Sequence, residues 1–420
     1  MSETAKRVIK LIMISEQNNN KFYDMFDQGN GTFKVEYGRV DKTRVEENYP
    51  ISKWDTKYRE KTKKGYKDIT HLYKEEVVNN TTLQVKETTD PVSLIKDLSV
   101  RELIKQLQGY AGVVVKENYK VSSNKVTQLM VNEAQSILDK LAELAKKVKT
   151  ESDIKDFNKY LISLFEVIPR QMRHVKDNLI SFESLSNILE TLNKKVAAEQ
   201  DILDALAGQV SVNTANATTE AKHESDVDLL TQLQLEMEPA STSDIKMIKD
   251  MLGPNANQFS RAFKVNNKKT KKQYDSALKN IKLKKEELFW HGSRNQNWFN
   301  IIQSGLLIRP SNAVYTGSMF GDGIYYADKA QKSIGYTSYS GSYWAKGNDS
   351  KAFLAIYRVS VGNQKHIHRH DSSCYTLNSQ KLQKDGFDSV FAHGGADLRN
   401  NEYIVYTPDQ CTIEYLVEIK

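Results

Sequence analysis

The sequence feature that most constrains the fold is a set of three apolar stripes in the middle of the chain. Leucine, isoleucine, valine and methionine recur there at steps of three and four residues, which is the period of one face of an α-helix. The first stripe lies within residues 126–148 and the second within residues 154–168, where Pro169 follows as a helix stop. The third lies within residues 185–206 and is followed by Gly208, a residue typical of helix ends. Long amphipathic helices joined by short loops predict a helical bundle.

The segments on either side of this bundle have the patterns of β-strands. Residues 8–14 form a short apolar run, and residues 32–37 alternate between polar and apolar side chains. Residues 352–361 are almost entirely apolar, and residues 412–419 alternate again. Residues 209–225 are rich in Asn, Thr, Ala and Ser, which predicts a loop or linker. These patterns predict a multidomain α+β chain, with β-rich units on both sides of an all-α bundle.

Composition limits the compartment and the kinds of site. The 420 residues suffice for two or three domains with their own cores, and the net charge of +7 permits contact with nucleic acid without requiring it. The two cysteines, Cys374 and Cys411, exclude a disulfide framework and a paired-cysteine zinc site, so we expect a reducing compartment. Apolar runs fall short of the about 18 residues that a membrane span needs. We therefore expect a soluble intracellular protein without a membrane partner.

A basic segment with interleaved aromatic residues lies near the start of the chain. Residues 53–67 contain seven basic side chains against two acidic ones, together with Trp54, Tyr58 and Tyr66. Lysine and arginine neutralise phosphates, and an aromatic ring can stack on an exposed base at a strand end. The alternative is a solvated basic face of a helix, and the residues alone favour neither interpretation.

Four motifs in the second half of the chain carry the clearest chemistry. They read Phe-Trp-His-Gly-Ser-Arg at residues 289–294, Gly-Asp-Gly-Ile-Tyr-Tyr-Ala-Asp at 321–328, Lys-Ser-Ile-Gly-Tyr at 332–336 and Asn-Glu-Tyr-Ile-Val-Tyr at 401–406. Each motif alone has a structural interpretation, such as a turn, a core tyrosine pair or a carboxylate on an edge strand. In this order and spacing, the four together resemble the NAD-binding core of the poly(ADP-ribose) polymerase family.

This resemblance implies roles for individual residues. Cleavage of the nicotinamide glycosidic bond needs a clamp on the leaving group, an oriented ribose and a carboxylate where positive charge develops. The family's histidine, tyrosine and glutamate correspond to His291, Tyr325 and Glu402, with Glu402 holding the ribose 2′-hydroxyl and polarising the acceptor. Tyr325 and Tyr336 are implied to sandwich the nicotinamide ring. The other positions implied to contact NAD+ are Gly292, Ser293, Asn297 and Ser333, and those implied on the acceptor side are Lys332 and Met319.

Two earlier parts of the chain resemble domains of the DNA-dependent members of this family. Residues 20–23, 37–40 and 61–66 resemble the WGR domain, with tyrosine at the position of its name-giving tryptophan. The residues that this resemblance implies for DNA binding are Arg39, Tyr37, Lys53 and Lys61. The helical segment, at residues 134–138 and 164–169 above all, resembles the regulatory domain that covers the NAD site.

The resemblance therefore predicts a WGR-like domain at residues 1–90, a regulatory helical domain at 91–212, a linker at 213–225 and a catalytic ADP-ribosyltransferase domain at 226–420. The catalytic domain is expected to be a mixed α+β core built on antiparallel sheets. Its implied reaction moves ADP-ribose from NAD+ to protein acceptors, itself included, and onward to growing ADP-ribose chains. DNA strand breaks are the implied stimulus, an accessory factor is an open possibility, and the implied location is the nucleus of a eukaryotic host.

Three alternatives to this prediction stay open. One is a mono-ADP-ribosyltransferase with poor elongation, since Asp322 would repel the pyrophosphate of an incoming ADP-ribose unit. Another is a catalytically inactive scaffold that binds DNA ends. The weakest is a toxin-type transferase, whose glutamate follows a different pair of residues from the asparagines that precede Glu402 here.

Two further clusters have weaker chemical signals. The imidazoles of His366, His368 and His370, with Cys374, could line one strand face as a transition-metal site requires. A polar loop is the favoured interpretation, because no zinc-ligand spacing supports a site, and no metal is predicted. Residues 264–285 contain nine lysines and one acidic residue, which indicates a solvated face or, as the alternative, a nuclear-targeting or DNA-contacting patch.

Overall fold

A computed structural model describes most of the chain. The described residues are 7–40, 42–73, 90–118, 126–170, 172–181, 185–221, 227–308 and 319–420. The chain forms two compact units, of which the first comprises Met1–Lys86 with Val114–Leu203 and the second Glu87–Val113 with Asp204–Lys420. Among the described residues, no helix has the length and apolar character that crossing a bilayer would demand.

The first unit contains a five-stranded antiparallel sheet with the strand order β4-β3-β2-β1-β5. Its elements in chain order are β1 (Val8–Ser15), β2 (Asn19–Asp27), β3 (Thr32–Arg39), β4 (Val45–Pro50), α1 (Trp54–Lys63) and β5 (Lys67–Asp68). Alternate side chains of the central strands pack with Trp54 of α1 in one apolar cluster. The strands predicted at residues 8–14 and 32–37 are confirmed, and the basic segment at 53–67 forms α1 and its C-terminal turn.

The predicted helical stripes form helices. The elements are α2 (Leu98–Asn118), α3 (Gln128–Ala145), α4 (Glu151–Val167) and α5 (Leu185–Ala221). Thr150 and Asp153 form a capping box at the start of α4, which ends two residues before Pro169 as predicted. These helices bury most of the predicted apolar positions, including Leu141 and Leu161, which are fully inaccessible to solvent, whereas Leu189 of α5 is 51% exposed.

The predicted helix stop at Gly208 is wrong, because α5 continues to Ala221 and the residues predicted as a loop are helical up to that point. Alanine, glutamine, serine and asparagine cost little in a helix that preceding turns have already nucleated. Gly208 has a packing role instead: a Cβ atom there would lie 3.3 Å from the backbone nitrogen of Asn300. The glycine lets α5 approach that backbone closely.

The second unit contains two sheets. The five-stranded antiparallel sheet has the order β6-β7-β14-β10-β8, and the four-stranded sheet has the order β11-β12-β13-β9, with β11 and β12 parallel and the other neighbours antiparallel. The strands are β6 (Leu235–Pro239), β7 (Phe259–Asn267), β8 (Glu286–Gly292), β9 (Ile324–Tyr326), β10 (Ala352–Ser360), β11 (Gln364–Ile367), β12 (Ser389–Ala392), β13 (Glu402–Val405) and β14 (Cys411–Ile419). The predicted strands at 352–361 and 412–419 are thereby confirmed.

Six helices of the described residues accompany these sheets. They are α6 (Leu229–Gln232), α7 (Thr242–Leu252), α8 (Lys268–Asn280), α9 (Trp298–Ser304), α10 (Ala330–Ile334) and α11 (Ser379–Lys384). The prediction of a mixed α+β core built mainly on antiparallel sheets is confirmed for this unit. The central strand β10 is buried along nearly its whole length, which explains why its sequence is almost continuously apolar.

One pair of backbone hydrogen bonds links the two sheets. The nitrogen of Trp290, near the end of β8, donates to the oxygen of Ala327 at 2.8 Å, and the nitrogen of Ala327 donates back at 3.1 Å. Trp290 itself is completely buried. Since Ala327 follows β9 directly, this bridge sets the end of β8 beside β9, and it positions the motifs at residues 289–294 and 321–328 against each other.

Candidate active site

His291 occupies the end of β8 beside β9. Its Nδ1 lies 3.1 Å from the carbonyl oxygen of Tyr325, and because a carbonyl can only accept, Nδ1 carries the proton. The rings of Trp298, Tyr326 and Tyr357 lie edge-on around the imidazole and hold its orientation. Burial lowers the pKa of His291 to about 4. The imidazole is therefore neutral at neutral pH, and its Nε2 is an acceptor for a substrate hydroxyl.

Gly292 lies in direct contact with the last turn of α10. A Cβ atom at this position would come within 1.9 Å of the carbonyl oxygen of Ser333. No side chain fits there without separating β8 from α10. Ser333, whose hydroxyl the sequence predicted near the substrate, is buried, with only 4% of its surface exposed. The structure thus brings the predicted residues Gly292 and Ser333 together.

Glu402 begins β13, and its carboxylate forms an ion pair with the ammonium of Lys332 on α10. The two side chains are only 12% and 15% exposed, respectively, so this carboxylate does not face bulk solvent. Tyr336 follows α10, and its pKa is raised by burial and, secondarily, by the nearby charge of Glu402. Three predicted site residues that are up to 70 positions apart in the chain therefore meet at one place.

Tyr325 is fixed at both ends. Its hydroxyl donates to the carbonyl oxygen of Gly321 at 2.8 Å and accepts from the backbone nitrogen of Phe320 at 3.1 Å. Its backbone pairs with Ile404 of β13, two residues beyond Glu402. The β9–β13 pairing thus holds the ring of Tyr325 and the carboxylate of Glu402 on neighbouring strands.

The remaining predicted positions lie around this arrangement. Asn297 is buried, and its amide donates to the hydroxyl of Ser293 at 3.3 Å. The carbonyl oxygen of Met319 accepts from Nε2 of His370 at 2.8 Å. Met319 is half-buried against the cluster of apolar side chains that packs on one side of β13.

Two supporting residues were missed in the sequence. Asn401 precedes Glu402, and its amide donates to a carboxylate oxygen of Asp328 at 2.7 Å, which anchors the start of β13 to the end of the β9 motif. Asn295 is 1% exposed, and its amide donates to the Asp349 carboxylate and the Lys351 carbonyl, both at 2.9 Å. Both asparagines lie within or directly beside the motifs, but their partners are distant in the chain.

Three of the four residues predicted to bind DNA have internal contacts in the first unit. The guanidinium of Arg39 donates to the Asn18 carbonyl at 2.8 Å and to the carbonyls of Met172 and Arg173 at 3.3 and 3.1 Å. The Tyr37 hydroxyl donates to the Glu47 carboxylate at 2.7 Å. In a separate contact, the ammonium of Lys61 lies 4.1 Å from the centre of the Tyr23 ring, and Lys53 is exposed to solvent.

The histidine cluster does not converge on one point. His366 and His393 lie within 2.8 Å through Nδ1 and Nε2, and His368 stacks on His393. His370 points elsewhere, to the carbonyl of Met319. In the part of the chain that the structure describes, no three or more His, Cys, Asp or Glu side chains are arranged to hold a metal ion.

Comparison with known proteins shows which sequences this chain is similar to. Residues 244–420 match the model of the poly(ADP-ribose) polymerase catalytic domain. The chain is 32% identical over 182 residues to the putative poly [ADP-ribose] polymerase-like protein 100L of Invertebrate iridescent virus 6, covering 42% of this chain and 94% of that protein. It is 31% identical over 206 residues to the uncharacterized protein 101L of the same virus, and this match covers 49% of this chain and 79% of that protein. Poly [ADP-ribose] polymerase 2 of Zea mays is 23% identical over 467 residues, covering 96% of this chain and 68% of that protein.

Proposed function

The chain belongs to the poly(ADP-ribose) polymerase family and is an NAD+ ADP-ribosyltransferase, and from this premise we propose how its residues carry out the reaction. NAD+ is the substrate. An acceptor oxygen forms a bond to C1′ of the nicotinamide ribose while the bond from C1′ to the nicotinamide nitrogen breaks. Nicotinamide leaves with the electron pair, and the acceptor proton passes to Glu402.

The proposed binding of NAD+ uses the residues around the β8–β9 junction. The backbone of Gly292 pairs with the carboxamide of nicotinamide, and the rings of Tyr325 and Tyr336 sandwich the pyridine ring. Ser293, Asn297 and Ser333 line the same region. The neutral imidazole of His291 accepts a hydrogen bond from a ribose hydroxyl through Nε2, a role that the donated Nδ1–H leaves open.

The position of Glu402 is the observation that carries the proposal. Its carboxylate is held by Lys332, close to Tyr336 and one strand away from Tyr325. A fixed carboxylate at this place stabilises the positive charge that develops on the ribose in an oxocarbenium-like transition state. We propose that Lys332 and Met319 border the acceptor side of the site.

Substitution of Glu402 by glutamine tests this role. E402Q keeps the size of the side chain and removes its charge and proton affinity, so we expect transfer of labelled ADP-ribose from NAD+ to fall by about 10²-fold or more. The matched control is E287Q. Glu287 lies on β8, the strand that carries His291, and it forms a partly exposed ion pair with Lys285. E287Q should transfer at a rate within about twofold of the unmodified protein. A rate for E402Q equal to that of E287Q would contradict the proposal.

We also propose the finer division into a WGR-like domain, a regulatory helical domain and a catalytic domain, with stimulation by DNA breaks and action in the nucleus of a eukaryotic host. The alignment with the Zea mays protein over 96% of this chain supports the division. The hydrogen bonds of Arg39 to the carbonyls of residues 172 and 173 support a route by which DNA binding at Arg39 would affect the segment after α4. A phosphate that attracts this guanidinium would weaken its hold on the segment after α4, which is a population shift driven by differential DNA affinity.

NAD+ turnover with and without nicked duplex DNA tests the stimulation. We expect a higher rate with nicked DNA and a smaller effect at high salt, because phosphate contacts weaken as salt increases. Equal rates would refute DNA stimulation while leaving the transfer reaction intact. A gel of the automodified protein separates the two candidate products: a ladder or smear indicates polymer, and a single shifted band indicates mono-ADP-ribosylation.

A further inference from the structure

A loop between α10 and β10 carries the inference. This aromatic loop, residues 337–349, is closed by backbone hydrogen bonds from Ser340 to Asp349 at 2.9 Å and from Gly341 to Gly347 at 3.2 Å. Asn295 fastens the loop to the turn between β8 and α9, because its backbone nitrogen donates to the Ser338 hydroxyl at 2.9 Å and its amide to Asp349. The aromatic loop is therefore a built element with fixed ends.

Trp344, at the outer part of this loop, packs against Tyr336. The nitrogen of Trp344 donates to the carbonyl of Gly335 at 2.8 Å. The indole and phenol rings are nearly parallel, at an angle of 17° with their centres 6.1 Å apart, which is an offset stack. Gly335 makes room for the indole, since a Cβ atom there would lie 3.1 Å from Cδ1 of Trp344.

Trp344 is too exposed for core packing to explain its position. The indole is 58% exposed, whereas Trp54, Trp290 and Trp298 are at most 5% exposed. The neighbouring Tyr343 is 75% exposed and meets the indole edge-on at 4.6 Å. A large apolar ring that stays in water gains little from burial, so burial does not account for the place of Trp344 against Tyr336.

We propose that Trp344 is a positioning residue, which covers part of one face of Tyr336 and holds that ring ready to stack on the nicotinamide ring of NAD+. This inference rests on the proposed function of Tyr336. A tyrosine ring that is free to rotate loses that freedom when a ligand stacks on it, and a second ring already packed against it removes part of that cost in advance. The aromatic loop thus tunes the affinity for NAD+ without contacting the reacting atoms.

The test compares three variants in steady-state turnover of NAD+ and in inhibition by nicotinamide. W344L removes the aromatic face and keeps apolar volume, W344F restores a ring, and Y160L is the control at an exposed tyrosine of α4, in the first unit. For W344L we expect the KM for NAD+ and the inhibition constant of nicotinamide both to rise by about 2- to 13-fold, the range set by one aromatic pair. The kcat should change by less than about twofold, since binding before the chemical step is affected. W344F should recover most of the affinity, and Y160L should behave as the unmodified protein.

A double substitution shows whether Trp344 acts through Tyr336. The effects of W344L and Y336L should not add, because once the phenol is gone the indole has no ring to hold. Additive effects, an unchanged KM in W344L, or a lower KM from removal of an indole that competes with the ligand would each overturn the inference. If Y336L also leaves the KM and the nicotinamide inhibition unchanged, the proposed nicotinamide site itself is wrong; if Y336L weakens both and W344L neither, the inference about Trp344 alone fails.

Discussion

Replacing Gly292 by alanine tests the contact between β8 and α10 on which the candidate site depends. The added Cβ would lie 1.9 Å from the carbonyl oxygen of Ser333 and 2.8 Å from its carbonyl carbon, whereas real Cβ contacts below 3.0 Å essentially do not occur. The two backbones must therefore separate by at least 3.0 − 1.9 = 1.1 Å. The φ angle of Gly292 lies outside the left-handed region, so the effect comes from this clash and not from backbone strain.

The displacement moves Ser333 and Lys332 away from His291. A misplacement of about 1 Å in an active site can lower activity by about 10²-fold, and we expect a loss of that order in kcat/KM for NAD+. Overpacking of this kind costs about 1–3 kcal/mol in the free energy of unfolding. For a unit of this size, that cost lowers the Tm by about 2–12 °C.

The assay measures labelled ADP-ribose transfer and thermal unfolding on the same preparation of G292A. The matched control is G112A in α2, where an added Cβ meets no atom within 4 Å. Alanine is favoured over glycine inside a helix by about 1 kcal/mol, so G112A should keep its activity and have an equal or higher Tm. Retention of kcat/KM within about threefold by G292A, with an unchanged Tm, would refute the reasoning from the close contact.

Three further predictions follow from single side chains. Folding lowers the pKa of His291 from 6.5 to about 4. The contribution of the neutral imidazole to stability is therefore fully present above pH 6.5, and up to about 3 kcal/mol is lost as the pH falls toward 4. In urea unfolding, the free energy of unfolding of H291Q should depend less on pH than that of the unmodified protein, and identical profiles would contradict this. K332M should lower kcat by about tenfold or more with a smaller change in KM, because the ammonium orients the Glu402 carboxylate; K332R is the control in the same turnover assay, and full activity of K332M would exclude an orienting role. R39M should lower the free energy of unfolding by about 1.5–3 kcal/mol, since three backbone carbonyls lose a charged donor. The control is R44M, because the half-exposed Arg44 pairs only with the carboxylate of Glu36 among the ion pairs of the described residues. R44M should lower the free energy of unfolding by less than about 1 kcal/mol in the same denaturation experiment. Equal losses for R39M and R44M would contradict the role of Arg39.

The histidine-rich segment shows how a sequence pattern can mislead about geometry. His366, His368 and His370 alternate in the sequence as side chains on one strand face would, but β11 ends at Ile367. The chain leaves the strand there, so His370 reaches Met319 while His366 and His368 gather around His393. No sequence pattern indicated His393 as a partner, since it follows the neighbouring strand β12.

Gly208 and Gly292 show that local sequence does not reveal why a glycine is needed at a position. In the sequence, glycine after an apolar stripe indicates a helix end, and glycine after His291 indicates access to a ligand. In the structure, Gly208 lies inside α5, and its missing Cβ admits the backbone of Asn300. The missing Cβ of Gly292 admits the backbone of Ser333. Both close approaches depend on a neighbour that is distant in the chain, which is why local pattern does not predict them.

The amino-acid sequence by itself determined the helices α3 and α4 and the strands β1, β3, β10 and β14, and it supplied the residues predicted for the candidate site. Helical and strand periods arise from local hydrogen bonds and alternating burial, so they are visible in a short window of sequence. Only the tertiary structure decided which of these residues meet. The bridge from Trp290 to Ala327, the ion pair of Lys332 with Glu402 and the stack of Trp344 on Tyr336 depend on strand register and on packing between elements, and these are set by the whole core.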